Sequence, residues 1–245
     1  MLYLGRDERL AGGPRGPDWT LINKRLGKKA KDSRLKKFYQ TGVVDGATPL
    51  SDVDFVALDF ETTGLEHAHS DIVSIGLVPF SLSRIYCNQA RHWILNPRKP
   101  LAEESVVIHG ITHSDIKEAP DLRGVLDEVL EALAGKIVVV HYRRIERNFF
   151  DQALKRRIGE GVLFPVVDTL EIEARFHRRP WHKCLSWLIN KPMASVRLAD
   201  SRSRYKLPFY QGHNAMTDAI ATAELLQAQV AHRYSPVHPI RGLWC

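Results

Sequence analysis

One stretch constrains the fold more than any other. Between Leu122 and Leu133 apolar residues recur at helical spacing, with Leu122, Val125, Leu126, Val129, Leu130 and Leu133 on one face. Gly135 ends that helix, and KIVVVH, residues 136–141, is a short apolar run of the kind a buried strand presents. A second helix is expected from about Arg143 to Ile158, then a short strand in FPVVD, residues 164–168. Upstream, DFVALDFE (54–61), DIVSIGLVPF (71–80) and RHWILNP (91–97) follow one another at hairpin-like spacing and read as antiparallel neighbours. Three hairpin strands followed by strand–helix–strand alternation predict an α/β fold, a mixed β-sheet flanked by helices. The remainder reads mostly helical and ends with a helix over residues 214–233.

The chain has 245 residues, of which 44% are apolar, enough for one good-sized α/β domain with some length left over. No run of about 18 apolar residues exists, so a membrane span is not expected. The first residues, MLYLGRDERL, lack the apolar core of a secretory signal. Cys87, Cys184 and Cys245 are far apart and form no CxxC pair, which disfavours a zinc ribbon or a disulfide framework and fits a cytoplasmic location. The net charge of +7 is uneven: residues 1–50 hold eleven Lys and Arg against five Asp and Glu. The excess sits in KRLGKKAKDSRLKKFYQ, residues 24–40, which is either a tether to a polyanion or a solubilising, partly helical extension. With breaks rich in Gly and Pro near residues 12–17 and 41–50, the expected layout is a basic N-terminal extension (1–50), a main domain (51–232) and a short tail (233–245).

The chemistry-bearing residues gather at three places. Asp59 and Glu61, two apart on the first strand, project to the same face. Adjacent carboxylates repel unless a cation lies between them, and hard oxygen ligands favour Mg²⁺ or Mn²⁺. Two solvated carboxylates at a strand end would be spelled the same way. Thr62, Thr63 and Gly64 then form a small-residue turn open to close backbone approach. Near the other end, His213 precedes a long helix and Asp218 lies in what reads as its second turn. In VVVHYRRIERNFFD, residues 138–151, Glu146 and Asp151 are five residues apart, about 140° around a helix, so both cannot face one site. Glu146 is near the strand end and Asp151 is too far along, which selects Glu146.

The ordered set Asp59-x-Glu61-Thr62-Thr63-Gly64-Leu65, His141-x4-Glu146 and His213-x4-Asp218 resembles the DEDDh branch of the DnaQ-like 3′→5′ exonucleases, the group of the epsilon proofreading subunit and RNase T. VIHGIT (107–112) is similar to the family's segment between third strand and first helix, and VVDTLEIEARF (166–176) to its Asp-Thr-Leu junction. The resemblance spans about residues 54–230 and implies an RNase H-like sheet. One motif departs: the family's His-Asn-x-x-Phe-Asp is here His141-Tyr142-Arg143-Arg144-Ile145-Glu146, with an acid one methylene longer.

What the resemblance implies is hydrolysis of terminal phosphodiesters to nucleoside 5′-monophosphates, with two divalent metal ions, Mg²⁺ or Mn²⁺, held by Asp59, Glu61, Glu146 and Asp218. His213 is the candidate general base, a role suited to a side chain that titrates near neutrality. Thr62, Thr63, Gly64, Leu65 and His109 are the candidate substrate contacts. His141 reads as structural. ARFHRRPWHKC, residues 174–184, mixes basic and aromatic residues as a single-strand binder does, or as a solvated loop does. DNA is the expected substrate; the alternatives are RNA, as in RNase T, and a nucleic-acid-binding module weakened at Glu146. A polymerase partner is less expected, because little chain follows the last helix.

Overall fold

The computed structural model describes residues 16–177 and 194–245. Its centre is a five-stranded sheet built from β1 (Phe55–Thr62), β2 (Ile72–Phe80), β3 (Arg91–Ile94), β4 (Ile137–Val140) and β5 (Val166–Asp168) in the order β3-β2-β1-β4-β5. The first three strands are antiparallel neighbours, and β4 and β5 add in parallel to β1, giving the expected mixed sheet. The helices among the described residues are α1 (Trp19–Lys29), α2 (Ser33–Gln40), α3 (Glu103–His109), α4 (His113–Lys117), α5 (Leu122–Leu133), α6 (Arg144–Ile158), α7 (Thr169–His177), α8 (Leu198–Arg204) and α9 (Ala215–Arg233). The short α3 and α4 are not legible in the spacing, and they place Val107 and His109 in a helix rather than in a turn.

The pleat of β1 divides the core. Val56, Leu58 and Phe60 face a cluster built with Leu126 and Val129 of α5 and Phe149 and Leu154 of α6. Phe55 and Ala57 face a second cluster with Ile172 of α7 and Ala223, Leu226 and Val230 of α9. The sheet is thus covered on both faces, and the end of β1 lies between two helical layers. No helix among the described residues is long and apolar enough to cross a membrane.

The basic N-terminal segment and the C-terminal tail both enter this core. Leu35, Phe38 and Tyr39 of α2 join the α5–α6 side, and Trp19 of α1 joins the α7–α9 side together with Leu243 and Trp244. Trp244 and Cys245 run beside β5, where Cys245 N–H donates to Val166 O at 2.9 Å and Val166 N–H returns a bond at 3.3 Å.

Candidate active site

Asp59 and Glu61 lie on the β1 face that carries Phe55 and Ala57, so they point toward α9. Asp218 is in the first turn of α9, one turn earlier than its spacing from His213 indicates. Oxygen atoms of Asp59, Glu61 and Asp218 lie within 4.8 Å of one another. Two features of the scaffold permit this approach. Asp59 stands opposite Gly76 in the β1–β2 ladder, and a Cβ at Gly76 would collide with the backbone of Ala215 and Met216. Gly76 therefore lets the start of α9 rest on the strand next to Asp59. The Asn214 side chain caps α9 by accepting from Thr217 N–H at 3.1 Å.

Glu146 acts on Asp59 from the α6 layer and is not one of the three acids whose oxygens lie within 4.8 Å. It sits in the first turn of α6, is buried, and leaves its Oε2 without a hydrogen-bond partner among the described residues. Asp59 is pushed far above the usual carboxylate range by burial, then by the charges of Glu146, Asp218 and Glu61. Burial, reinforced by Asp218, raises Glu61 to about 7. Glu146 is likewise raised, by burial and then by Asp168. Asp218 is raised by burial as well, against the pull of His213 and Arg202. The other three carboxylates have no cation acting on them among the described residues, and an orphaned buried oxygen lacks a partner there; a divalent cation fits both. Asp151, by contrast, pairs with Lys155 at 2.7 Å on an outer face of α6.

The turn that launches α6 depends on Asp168, which the spacing of motifs does not single out. The Asp168 carboxylate, at the end of β5, accepts the N–H groups of Tyr142 and Arg143, both at 3.0 Å, and that of Leu170 at 3.0 Å. Tyr142 has φ 90, a left-handed conformation unfavourable for a bulky side chain. Its neighbour His141 is structural: Nδ1 faces the Thr169 hydroxyl at 2.8 Å and Nε2 faces Val196 O at 3.0 Å. Thr169 Oγ1 also donates to Val140 O at 3.0 Å, so its single proton serves either that carbonyl or Nδ1, and a neutral ring donates to one of its two partners.

His213 is exposed, with φ 68, and its N–H donates to Asp218 Oδ2 at 2.7 Å. The chain leading to it is held down by the buried Arg202, which donates to Ala221 O at 2.6 Å, Pro208 O at 2.9 Å and Glu224 at 2.7 Å. Arg202 also stacks on Tyr210, 4.5 Å from the ring centre. His109, the last residue of α3, accepts from Ile111 N–H at 3.0 Å, and its buried Nε2 makes no hydrogen bond of normal geometry among the described residues. Burial lowers its pKa, opposed by the Thr62 backbone and assisted by the charge of His213, so His109 lies between the first and last motifs. Thr62 Oγ1 donates to Gly64 O at 2.8 Å, while Thr63 is buried and ties the turn to Asp71 through N–H at 2.9 Å and Oγ1 at 3.0 Å. A Cβ on Gly64 would lie 2.8 Å from Ser70 Oγ, so the turn accepts only glycine without rearrangement. Leu65 and Val107 are 90% and 85% exposed, apolar side chains left bare where the two segments end. In the basic-aromatic stretch, Arg178–Cys184 lie outside the described residues.

The sheet order and flanking helices are those of the RNase H-like nuclease fold. The exonuclease family matches residues 56–226, and the chain belongs to this DnaQ-like exonuclease family. Among curated relatives, the PolC-type DNA polymerase III of Bacillus subtilis is 27% identical over 209 residues, covering 80% of this chain and 14% of that protein. A DNA polymerase III subunit epsilon-like protein of Rhodobacter capsulatus is 29% identical over 201 residues, covering 80% of this chain and 26% of that protein. The chain thus spans a small part of the curated relatives it matches. Among solved structures, exonuclease X in complex with 5′ overhanging duplex DNA aligns at TM-score 0.55 and 19% identity, covering 73% of this chain and 92% of that one. The nuclease domain of 3′hExo, a DEDDh family member bound to rAMP, aligns at TM-score 0.60 and 12% identity, covering 74% and 92%.

Proposed function

We propose that the chain is a divalent-metal-dependent 3′→5′ exonuclease that removes nucleotides one at a time, as 5′-monophosphates, from single-stranded or frayed DNA ends. The observation that carries this reading is the convergence of Asp59, Glu61 and Asp218 within 4.8 Å, with the orphaned carboxylate of Glu146 acting on Asp59 from the α6 layer. Asp59, Glu61 and Asp218 would hold one ion, and Asp59 with Glu146 a second. Mg²⁺ or Mn²⁺ there would neutralise charge developing on the phosphoryl oxygens. The glutamate in place of the family's aspartate keeps a carboxylate at this position, buried and acting on Asp59.

His213 is the general base that takes the proton of the attacking water. Its exposed ring lies on the solvent side of Asp218, and its own N–H fixes that carboxylate. Thr62, Thr63 and Gly64 offer backbone to the terminal nucleotide, and Leu65 and His109 flank its base and sugar. DNA is favoured over RNA because the curated relatives are DNA polymerase III proteins. RNA is the second reading, since the histone mRNA stem-loop is the named target of one structural neighbour. The test is digestion of 5′-labelled DNA and RNA oligonucleotides side by side in Mg²⁺ or Mn²⁺. DNA should shorten from its 3′ end, and Asp59→Ala should abolish this; preferential RNA digestion would reassign the substrate.

A further inference from the structure

The basic N-terminal segment is a folded surface, and its charges are organised. Neither α1 nor α2 contains an acidic residue. Lys24, Arg25, Lys28 and Lys29 on α1, Lys31 in the turn, and Lys36 and Lys37 on α2 are all exposed, and none is in an ion pair among the described residues. Asp127 of the neighbouring α5 acts on Arg34, and three other acids nearby are engaged elsewhere. Asp18 caps Leu21 N–H at 2.9 Å, Asp32 pairs with Arg34 at 2.7 Å, and Glu160 accepts Lys31 N–H at 2.9 Å and Asp32 N–H at 2.6 Å.

Two physical points separate this surface from a merely solubilising one. Lys24–Lys28 and Arg25–Lys29 are like charges at i,i+4, which destabilise the helix, whereas solubility is served by interspersed signs. The hairpin is also rigid. Asn23 Nδ2 donates to Tyr39 O at 2.6 Å in the interior, Leu163 N–H donates to Tyr39 Oη at 3.0 Å, and Trp19, Leu35 and Phe38 are buried in the domain core. Most of the apolar surface of α1 and α2 is consumed by that core, and Leu21, 44% exposed, is too little apolar surface with which to enter a lipid layer.

We infer that the cationic face of the α1–α2 hairpin is a second nucleic-acid-binding surface, gripping backbone phosphates of a strand whose 3′ end lies at the acid cluster. This rests on the reading of that cluster as the place of strand cleavage. The separation can be gauged along α6: Glu146 is in its first turn, and Glu160, which holds the hairpin turn, lies just past its end. At a rise of about 1.5 Å per residue the two are about 20 Å apart. Phosphates advance about 3.4 Å each along a stacked strand and roughly twice that along an extended one, so about three to six nucleotides reach from one to the other. A dinucleotide is too short to touch both.

The experiment compares wild type with the fourfold variant Lys24→Gln, Arg25→Gln, Lys28→Gln, Lys29→Gln, whose folding is checked by thermal melting. Binding of fluorescein-labelled thymidine oligonucleotides of two and thirty nucleotides is measured in EDTA across a salt series. For the long strand the variant should bind at least tenfold more weakly, with a log–log salt slope shallower by about 3, as expected for four lost single-strand phosphate contacts. The dinucleotide, with one internucleotide phosphate, should bind the two proteins within about twofold of each other. Equal affinity for the long strand overturns the inference, as does an equal loss on both strands. Binding to phosphatidylserine vesicles that falls in the variant, with the long strand unaffected, would overturn it in favour of a lipid partner. Since this readout needs no hydrolysis, failure of wild type to degrade any strand counts against the exonuclease reading and leaves the binding result intact.

Discussion

Gly76 stands opposite Asp59 in the β1–β2 ladder, and the place its side chain would fill is taken by the backbone of Ala215 at the start of α9. A strand glycine normally weakens a sheet. Here it sets how closely Asp218 approaches Asp59. Gly76→Ala should lift the first turn of α9, costing about 1–3 kcal/mol of stability by overpacking. The Mn²⁺ concentration needed for half-maximal activity should rise more steeply than melting temperature falls. A Gly76→Ala enzyme with wild-type metal dependence would mean that α9 is positioned by other contacts.

The Tyr142 turn stores strain that Asp168 restrains. Tyr142→Asn places a residue more tolerant of left-handed φ at a position where φ is 90. A gain of about 1 kcal/mol, or roughly 2–4 °C in melting temperature for a chain of this size, is expected. Asp168→Asn should act in the other direction, since an amide cannot accept from both the Tyr142 and Arg143 N–H groups through its two terminal atoms. Calorimetry on the two variants checks the pair; a neutral Tyr142→Asn would show that the side chain contributes packing that offsets the strain.

The acids were the legible part of this site. Asp59 and Glu61 are two apart on a strand, and helix geometry alone separates Glu146 from Asp151; the structure buries the former and pairs the latter with Lys155. The antiparallel pairing of the first three strands and the mixed character of the sheet also follow from spacing, whereas the placing of β4 beside β1 is seen only in the structure. What spacing cannot convey is a residue that acts through its smallness or through distant backbone. Gly76 looks like a blemish in an apolar strand, and Asp168 meets amides 25 and 26 residues earlier in the chain. The run of charges between Lys24 and Lys37 likewise hides Leu35, Phe38 and the preceding Trp19, whose burial becomes evident only when the hairpin is seen packed.

Glu146 is buried with one oxygen unpartnered, so the metal-free protein keeps it at a cost. Glu146→Gln should raise the melting point in EDTA at pH 8, by an amount corresponding to about 1–3 kcal/mol. Activity in Mn²⁺ should fall on the order of 100-fold in the same variant. Opposite movements of stability and activity distinguish a functional acid from a structural one. Parallel losses would assign Glu146 to the scaffold.

Burial lowers the pKa of His141 from 6.5 to about 4. The unfolded chain therefore takes up this proton first as pH falls. Stability contributed by the neutral ring is complete above pH 6.5 and is lost between there and about pH 4, at up to about 1.4 kcal/mol per pH unit. Urea melts from pH 7 to pH 4 should show this slope, and His141→Gln should flatten it. A variant with an undiminished slope would trace the acid sensitivity to other groups.

The most direct measurement follows a 5′-labelled DNA strand with a free 3′ hydroxyl, incubated with Mn²⁺ and wild-type protein or Asp59→Asn, with the released products identified by mass. Wild type should shorten the strand one nucleotide at a time from the 3′ end and release 5′-monophosphates, in a reaction stopped by EDTA, and Asp59→Asn should leave the strand intact. Degradation by Asp59→Asn at the wild-type rate, or shortening that persists in EDTA, would contradict a metal-dependent exonuclease centred on Asp59.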